Sequence, residues 1–197
     1  MCFEDRYRTG DTPWDLGKPD FNLTDMATKR PIRSCKALEI GCGTGDNAVW
    51  LARQGFVVTG TDISEIAVQK AMEKTSKAGV KCTFLVIDFL NHEIPGAPFG
   101  FVFDRGCFHS FDSAEERKQF AKNVASHLAK GGLWLSIVGS ADAQPRDHGP
   151  PTRTARDIVT AAEPYFEILS LNSSHFGSNR PNPPRAWVCL MCNRGQT

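Results

Sequence analysis

No block of like charge runs through this 197-residue chain. Its 23 Lys and Arg stand against 22 Asp and Glu, a formal charge of +1, so nothing advertises nucleic acid or an anionic membrane as partner. Apolar runs of membrane-spanning length are missing. The opening MCFEDRYRTGDTPWDLGKPD mixes charge with Gly and Pro where a secretory leader needs an apolar stretch. The expectation is a soluble cytoplasmic protein. Internal repeats and linker-like segments are missing too, which leaves one domain, residues 1–197, with enough apolar sequence (41% hydrophobic) for a full core.

Paired cysteines are also wanting. The seven, at positions 2, 35, 42, 82, 107, 189 and 192, are odd in number and scattered, against a secreted disulfide framework. Cys189 and Cys192 have metal-ligand spacing but no second Cys or His pair to complete a four-ligand set, so no metal is expected. The G-x-G-x-x-G fingerprint of dinucleotide binding is absent as well: Gly41, Gly43 and Gly45 alternate and are followed by Asp46. An Asp at that helix start repels a phosphate and suits an N-cap, while the glycine turn still admits a ligand without phosphate.

What is present is alternation of short apolar runs with amphipathic segments. KALEI (36–40), FVVTGTD (56–62), KCTFLVIDF (81–89), FGFVFD (99–104) and LWLSIV (133–138) read as buried strands. Between them, 46–55, 62–79 and 113–132 read as helices, the second with a capping box from Asp62 to Glu65, the third with one from Ser113 to Glu116 and a stop at Gly131 and Gly132. Beyond the loop 139–153, a short helix over 154–163 precedes two strands, 165–173 and 185–193. Their connection has no helical pattern, so they pair antiparallel. The expected fold is α/β: a doubly wound, mostly parallel seven-stranded sheet with a C-terminal antiparallel hairpin.

In such a sheet, ligands bind beyond the carboxyl ends of the strands. Those ends carry Glu39 to Gly45, Asp62, Asp88 and Asp104, and four carboxylates in succession are hard to explain as helix caps.

LEIGCGTG resembles the first motif of the class I S-adenosylmethionine-dependent methyltransferases, an acidic residue followed by G-x-G-x-G, and the resemblance runs from Lys36 to the terminal hairpin. It implies a Rossmann-like fold and S-adenosyl-L-methionine as cofactor. Glu39, Gly41, Cys42, Gly43 and Gly45 then form the cofactor turn, Asp62 holds the ribose hydroxyls, Ile63 lies against the adenine, Asp88 and Phe89 recognise its edge, and Asp104 leads to the methionine end. Vicinal hydroxyls suit a carboxylate acceptor. Residues 7–20, YRTGDTPWDLGKPD, and FDRGCFH at the fourth strand resemble small-molecule methyltransferases that act on thiopurines, thiols, halides and tellurite. By that likeness 1–35 is an N-terminal lid, with Trp14 closing over the cofactor.

The acceptor side is read from loop residues near the expected mouth: Arg105, Cys107, His109, His148 and Arg153. His109 is the candidate general base, or else bonds backbone. Cys107 lines the acceptor site or simply packs. Arg105 and Arg153 either attract an anionic acceptor or pair with Asp104 and Asp157. The leading reading is methyl transfer to a small molecule, a thiol or other soft nucleophile. A same-fold enzyme acting on an oxygen or nitrogen acceptor and a non-catalytic module that binds S-adenosylmethionine are the alternatives. No nucleic acid or membrane partner is expected, and the oligomeric state is not encoded in any motif.

Overall fold

Three alternating glycines turn the chain sharply at the end of β1 (Lys36–Ile40), and the sheet is arranged around that turn. The structure, a computed structural model, describes residues 2–29, 32–142, 149–179 and 181–195. The remaining strands are β2 (Val57–Asp62), β3 (Cys82–Val86), β4 (Phe99–Arg105), β5 (Leu128–Gly139), β6 (Phe166–His175) and β7 (Arg185–Asn193). They pair in the order β3-β2-β1-β4-β5-β7-β6. β1 to β5 are parallel, and β7 runs antiparallel between β5 and β6. The chain winds outward from β1 through β2 to β3 and returns to β1's other side as β4. The switch point of the fold therefore lies between β1 and β4.

The helices are α1 (Phe3–Thr9), α2 (Phe21–Lys29), α3 (Asp46–Arg53), α4 (Glu65–Ala78), α5 (Ala114–His127) and α6 (Ala155–Ala162). One sheet face buries Leu23 of α2 with Ala48 and Leu51 of α3 against Phe101, Phe103 and Ile137. The other buries α5 and α6 around Trp134, whose ring meets Phe108, Phe120 and Phe166 at 5.2–6.0 Å. The Trp134 indole would strand its N–H in that apolar layer; it donates instead to Asp104 Oδ2 at 2.8 Å. No helix among the described residues is long and apolar enough to cross a membrane.

Several local expectations shift. α4 is capped by Ser64, whose hydroxyl accepts from Ala67 N, and not by Asp62. Gly45, not Asp46, is the N-cap of α3, and Asp46 pairs with Lys74 at 2.5 Å. β3 stops at Val86, which leaves Asp88 in a turn. β5 starts at Leu128, because Gly131 and Gly132 lie within the strand where they resemble a helix stop; a register shift on the β4 side absorbs them. The boxes at Ser113–Glu116 and Thr154–Asp157 both form.

Residues 1–35 contain α1 and α2, neither visible in the sequence pattern, and their described side chains reach the interior: Tyr7, Asp20 and Leu23 are buried.

Gly45 shows how tightly the turn is packed. Its φ is +83°, and a Cβ there would lie 2.9 Å from Ala71 Cβ and 3.2 Å from Ala71 Cα, so α3 and α4 approach through it. The missing side chain serves helix packing here. Gly45→Ala is predicted to destabilise by about 2 kcal/mol, from left-handed strain plus overpacking. A urea midpoint unchanged from wild type would contradict this reading.

Candidate functional site

Backbone geometry builds the floor of the site. Gly41 and Gly43 have φ of +66° and +53°, the left-handed region that glycine adopts without strain. A side chain at Gly41 would press on Cys107 Cβ at 3.3 Å, and one at Gly43 would meet the Tyr7 hydroxyl at 2.8 Å. Bare backbone is therefore required on both sides of Cys42. Asp62, at the end of β2, fastens the turn: Oδ2 accepts from Gly43 N and Oδ1 from Ser64 N, each at 2.9 Å. Burial pushes its carboxyl up, against the pull of the Ser64, Gly43 and Ile63 amides.

Beyond Asp62 the surface turns apolar. Ile63 is 56% exposed and Val86, at the end of the neighbouring strand, 49%. Two large open side chains beside a fixed carboxylate suit a flat ring with a polar appendage. Asp88, half-buried, accepts from Leu90 N at 3.0 Å and Asn91 Nδ2 at 2.7 Å, so it shapes its own turn. The Phe89 ring is turned inward, 5.1 Å from Phe120, which leaves only its backbone available to a ligand.

The cover comes from the N-terminal segment. Tyr7 is buried, its hydroxyl accepts from Trp14 Nε1 at 3.0 Å, and burial with the Asp62 carboxylate pushes its phenol up. Trp14 meets Phe3 and Tyr7 edge-on at 5.8 and 6.0 Å, with the Arg6 guanidinium 4.2 Å over its ring. Glu4 accepts a short hydrogen bond from the Ser64 hydroxyl. Asp15 accepts from Thr44 Oγ1 at 2.8 Å, and Thr44 accepts from Lys74 at 2.7 Å. Tyr7, Glu4 and Asp15 were missed by sequence reasoning. The available signal was the i, i+4 spacing of Phe3 and Tyr7 ahead of Trp14, one face of a short helix.

Other expected ligands turn out to be supports. Glu39 is 1% exposed beneath the turn; Oε1 accepts from Asn47 Nδ2 at 3.0 Å and Oε2 has no partner. Burial pushes its carboxyl up to about 8. Asp104 is fully buried, held by Trp134 and by Phe108 N at 3.1 Å, and burial pushes it to about 6. Both carboxyls are enclosed by protein partners. Cys42 is buried with its thiol pushed well up, so its part in the turn is that of backbone and packing.

On the acceptor side, His109 is 5% exposed and its Nδ1 accepts from Gly139 N at 2.8 Å. Burial, with Arg153 and Arg105 nearby, lowers it to about 3. The neutral ring keeps its proton on Nε2 and has no lone pair to offer, which corrects the base assignment. Arg105 pairs with Asp20 at 2.6 Å, not with Asp104. Arg153 pairs with Asp112 at 2.8 Å, and Asp157 with Arg117. Both arginines are committed to protein partners. Cys107 lies against Gly41 with its thiol pushed well up, a packing thiol at the edge of the turn. His148 lies outside the described residues.

Among the described residues no three His, Cys, Asp or Glu side chains converge as metal ligands. Cys189 and Cys192, an odd offset apart on β7, point to opposite faces. A cleft of about 400 Å³ opens between the N-terminal segment and the β6–β7 connection, lined by Leu16, Phe21, Phe176 and Pro183 among others. It does not lie over the glycine turn, because Tyr7 covers that position.

Glu39 has a consequence for pH. Its folded value of about 8 exceeds the ordinary 4.5, so the folded state holds a proton that the unfolded chain releases. Its contribution is full below about 4.5 and is lost as pH rises through 8. Wild type is predicted to lose Tm between pH 5 and 8, and Glu39→Gln to flatten that fall; parallel curves would contradict the buried carboxyl with a raised pKa.

Comparison with known proteins adds the following. Residues 37–132 match the family described as methyltransferase domain. The chain is 32% identical over 151 residues to probable thiol methyltransferase 2 of Arabidopsis thaliana, covering 76% of this chain and 65% of that protein. It is 31% identical over 156 residues to thiocyanate methyltransferase 1 of Brassica oleracea, covering 78% and 66%. The chain thus spans just under two thirds of the length of these relatives. Its fold matches that of magnesium protoporphyrin IX methyltransferase from Synechocystis PCC 6803, solved with bound S-adenosylmethionine, at a TM-score of 0.68 and 18% identity over 95% of this chain and 79% of that one.

Proposed function

We propose that this chain, whose residues 37–132 match the methyltransferase-domain family, moves the methyl group of S-adenosylmethionine to a small, soft nucleophile, a thiol or related sulfur acceptor. The observation that carries the cofactor reading is the bare Gly41–Gly43 backbone tied to the Asp62 carboxylate at the fold's switch point. Identity of 31–32% to proteins named for thiol and thiocyanate methylation supports the acceptor class.

The residues present fit this cofactor. Asp62, which keeps acceptor capacity beyond its backbone bonds, would receive the ribose hydroxyls; Ile63 and Val86 would supply the apolar surface for adenine, Asp88 would stand at the ring's edge, and Gly41 and Cys107 would bound the methionine end. When bound, S-adenosylmethionine would supply a methyl group activated by its sulfonium, with S-adenosylhomocysteine as the leaving thioether.

The chain's own contribution is positional. Fixing nucleophile and methyl in line is worth about 7 to 11 kcal/mol of barrier. Tyr7 and Trp14, hydrogen-bonded to each other over the turn, exclude water from that centre. His109, with Nδ1 engaged by Gly139, holds the loop after β4 and moves no proton. A thiol whose pKa is near 8.5 supplies its own thiolate, so a soft acceptor is compatible with a site in which His109 is not a base.

Asp62→Ala should weaken S-adenosylhomocysteine by roughly 30- to 100-fold in calorimetry, the scale of a lost charge-assisted hydrogen bond; unchanged affinity would remove Asp62 from the site. In a methyl-transfer assay across thiols, phenols, amines and carboxylates, turnover is expected with thiols, rising with pH through the thiol's own ionisation. His109→Ala should keep that pH profile and lose well under the hundredfold typical of a general base. Turnover of an amine or oxygen acceptor with none for any thiol would overturn the acceptor class alone.

A further inference from the structure

Arg105, at the end of β4, joins three segments that are far apart in sequence. Its Nε donates to Asp20 Oδ2 at 2.6 Å, Nη1 to the Trp14 carbonyl at 3.2 Å and Nη2 to the Gly177 carbonyl at 2.9 Å. The guanidinium carbon lies 5.2 Å from the centre of the Phe176 ring. Asp20 is fully buried and completes the joint: Oδ2 also accepts from Gly177 N at 2.9 Å, and Oδ1 accepts from the backbone and side chain of Asn22. The Asp20 amide donates to Asn47 Oδ1 at 2.9 Å, and Asn47 in turn donates to Glu39 beneath the glycine turn.

Each guanidinium nitrogen makes one bond to protein and the charge is paired with Asp20, so this arginine is held between segments rather than presented as a free anion ligand. Neutralising a buried carboxylate requires one such contact; the planar fork uses its other two arms on carbonyls of two separate loops. One loop carries Trp14, which holds Tyr7 over Gly43. The other carries Phe176, which packs edge-on against His109 at 5.7 Å.

We propose that Arg105 is a positioning residue that clamps residues 11–20 to the β6–β7 connection, so that closing the N-terminal segment over the cofactor and shaping the acceptor side of the site are one event. The inference rests on the cofactor reading above. Cofactor binding then orders residues 176–179, which the turn and Asp62 do not touch, and two distinct regions share one coupling. Lysine at this position keeps the charge opposite Asp20 but is a point charge that cannot span the other two carbonyls in their fixed plane.

Hydrogen exchange with S-adenosylhomocysteine as probe tests this on the full chain. In wild type the ligand should slow exchange over both 11–20 and 176–179. In Arg105→Lys it should still slow 11–20, slow 176–179 markedly less than in wild type because only the direct bonds of Gly177 to Asp20 and of Asn179 to Leu16 remain, and bind about tenfold more weakly, the scale of one lost charge-assisted hydrogen bond. An arginine with a purely structural role would raise exchange equally with and without ligand and preserve the ligand-induced difference; that result overturns the clamp. So does ligand binding in wild type that leaves 176–179 untouched. Should Arg105→Lys fail to fold by circular dichroism, the wild-type comparison still decides, because ligand-induced slowing confined to 11–20 counts against the proposal. Absence of any calorimetric binding to wild type overturns the cofactor reading, and the coupling with it.

Discussion

Asp62 accepts a hydrogen bond from the amide of Gly43, and that contact joins the end of β2 to the turn that follows β1. It has two requirements. The turn must pass through left-handed φ at Gly41 and Gly43, where only glycine is unstrained, and the carboxylate must stay fixed although burial disfavours its charge. Amides of Ser64 and Gly43 meet the second requirement, and the rest of the site is arranged around the result. Ile63 faces outward because Asp62 faces the turn, Tyr7 settles where Gly43 has no side chain, and Trp14 is held by Tyr7.

The strand-end carboxylates, alike in sequence, fall into distinct physical roles. Asp62 faces the space over the turn. Asp88 caps its own loop and stands half-open at the edge. Asp104 satisfies a buried indole, and Glu39, protonated to about pH 8, supports Asn47. Burial decides between them: a fully enclosed carboxyl is a tie between elements, and a carboxyl at the rim can still meet a ligand. The same distinction separates the basic residues. Arg105 and Arg153, attractive from sequence as anion ligands, are held by Asp20 and Asp112, and His109, whose pKa burial lowers, accepts from the Gly139 amide.

The parallel strands, the glycine turn and Asp62 were legible because their signals are local: apolar runs of strand length, alternating glycines, an acid at the end of a run. The N-terminal helices were not, because Gly10, Pro13, Gly17 and Pro19 punctuate the segment and helices of 7 and 9 residues owe their stability to packing rather than to propensity. The start of β5 was hidden by Gly131 and Gly132, which in isolation read as a helix end. The pairing of Asp20 with Arg105 spans 85 positions and leaves no trace in spacing. Which strand-end carboxylates were supports depended on neighbours such as Trp134 and Asn47 that only the fold brings near.

The central claim is that S-adenosylmethionine lies against the bare backbone at Gly43, beneath Tyr7. Calorimetric titration of S-adenosylhomocysteine into wild type and Gly43→Val, with circular dichroism to establish that both are folded, tests it most directly. The account predicts saturable binding to wild type and none to the variant, because a branched side chain would occupy the space that the ligand and the Tyr7 hydroxyl share. Equal binding by the two proteins would contradict it.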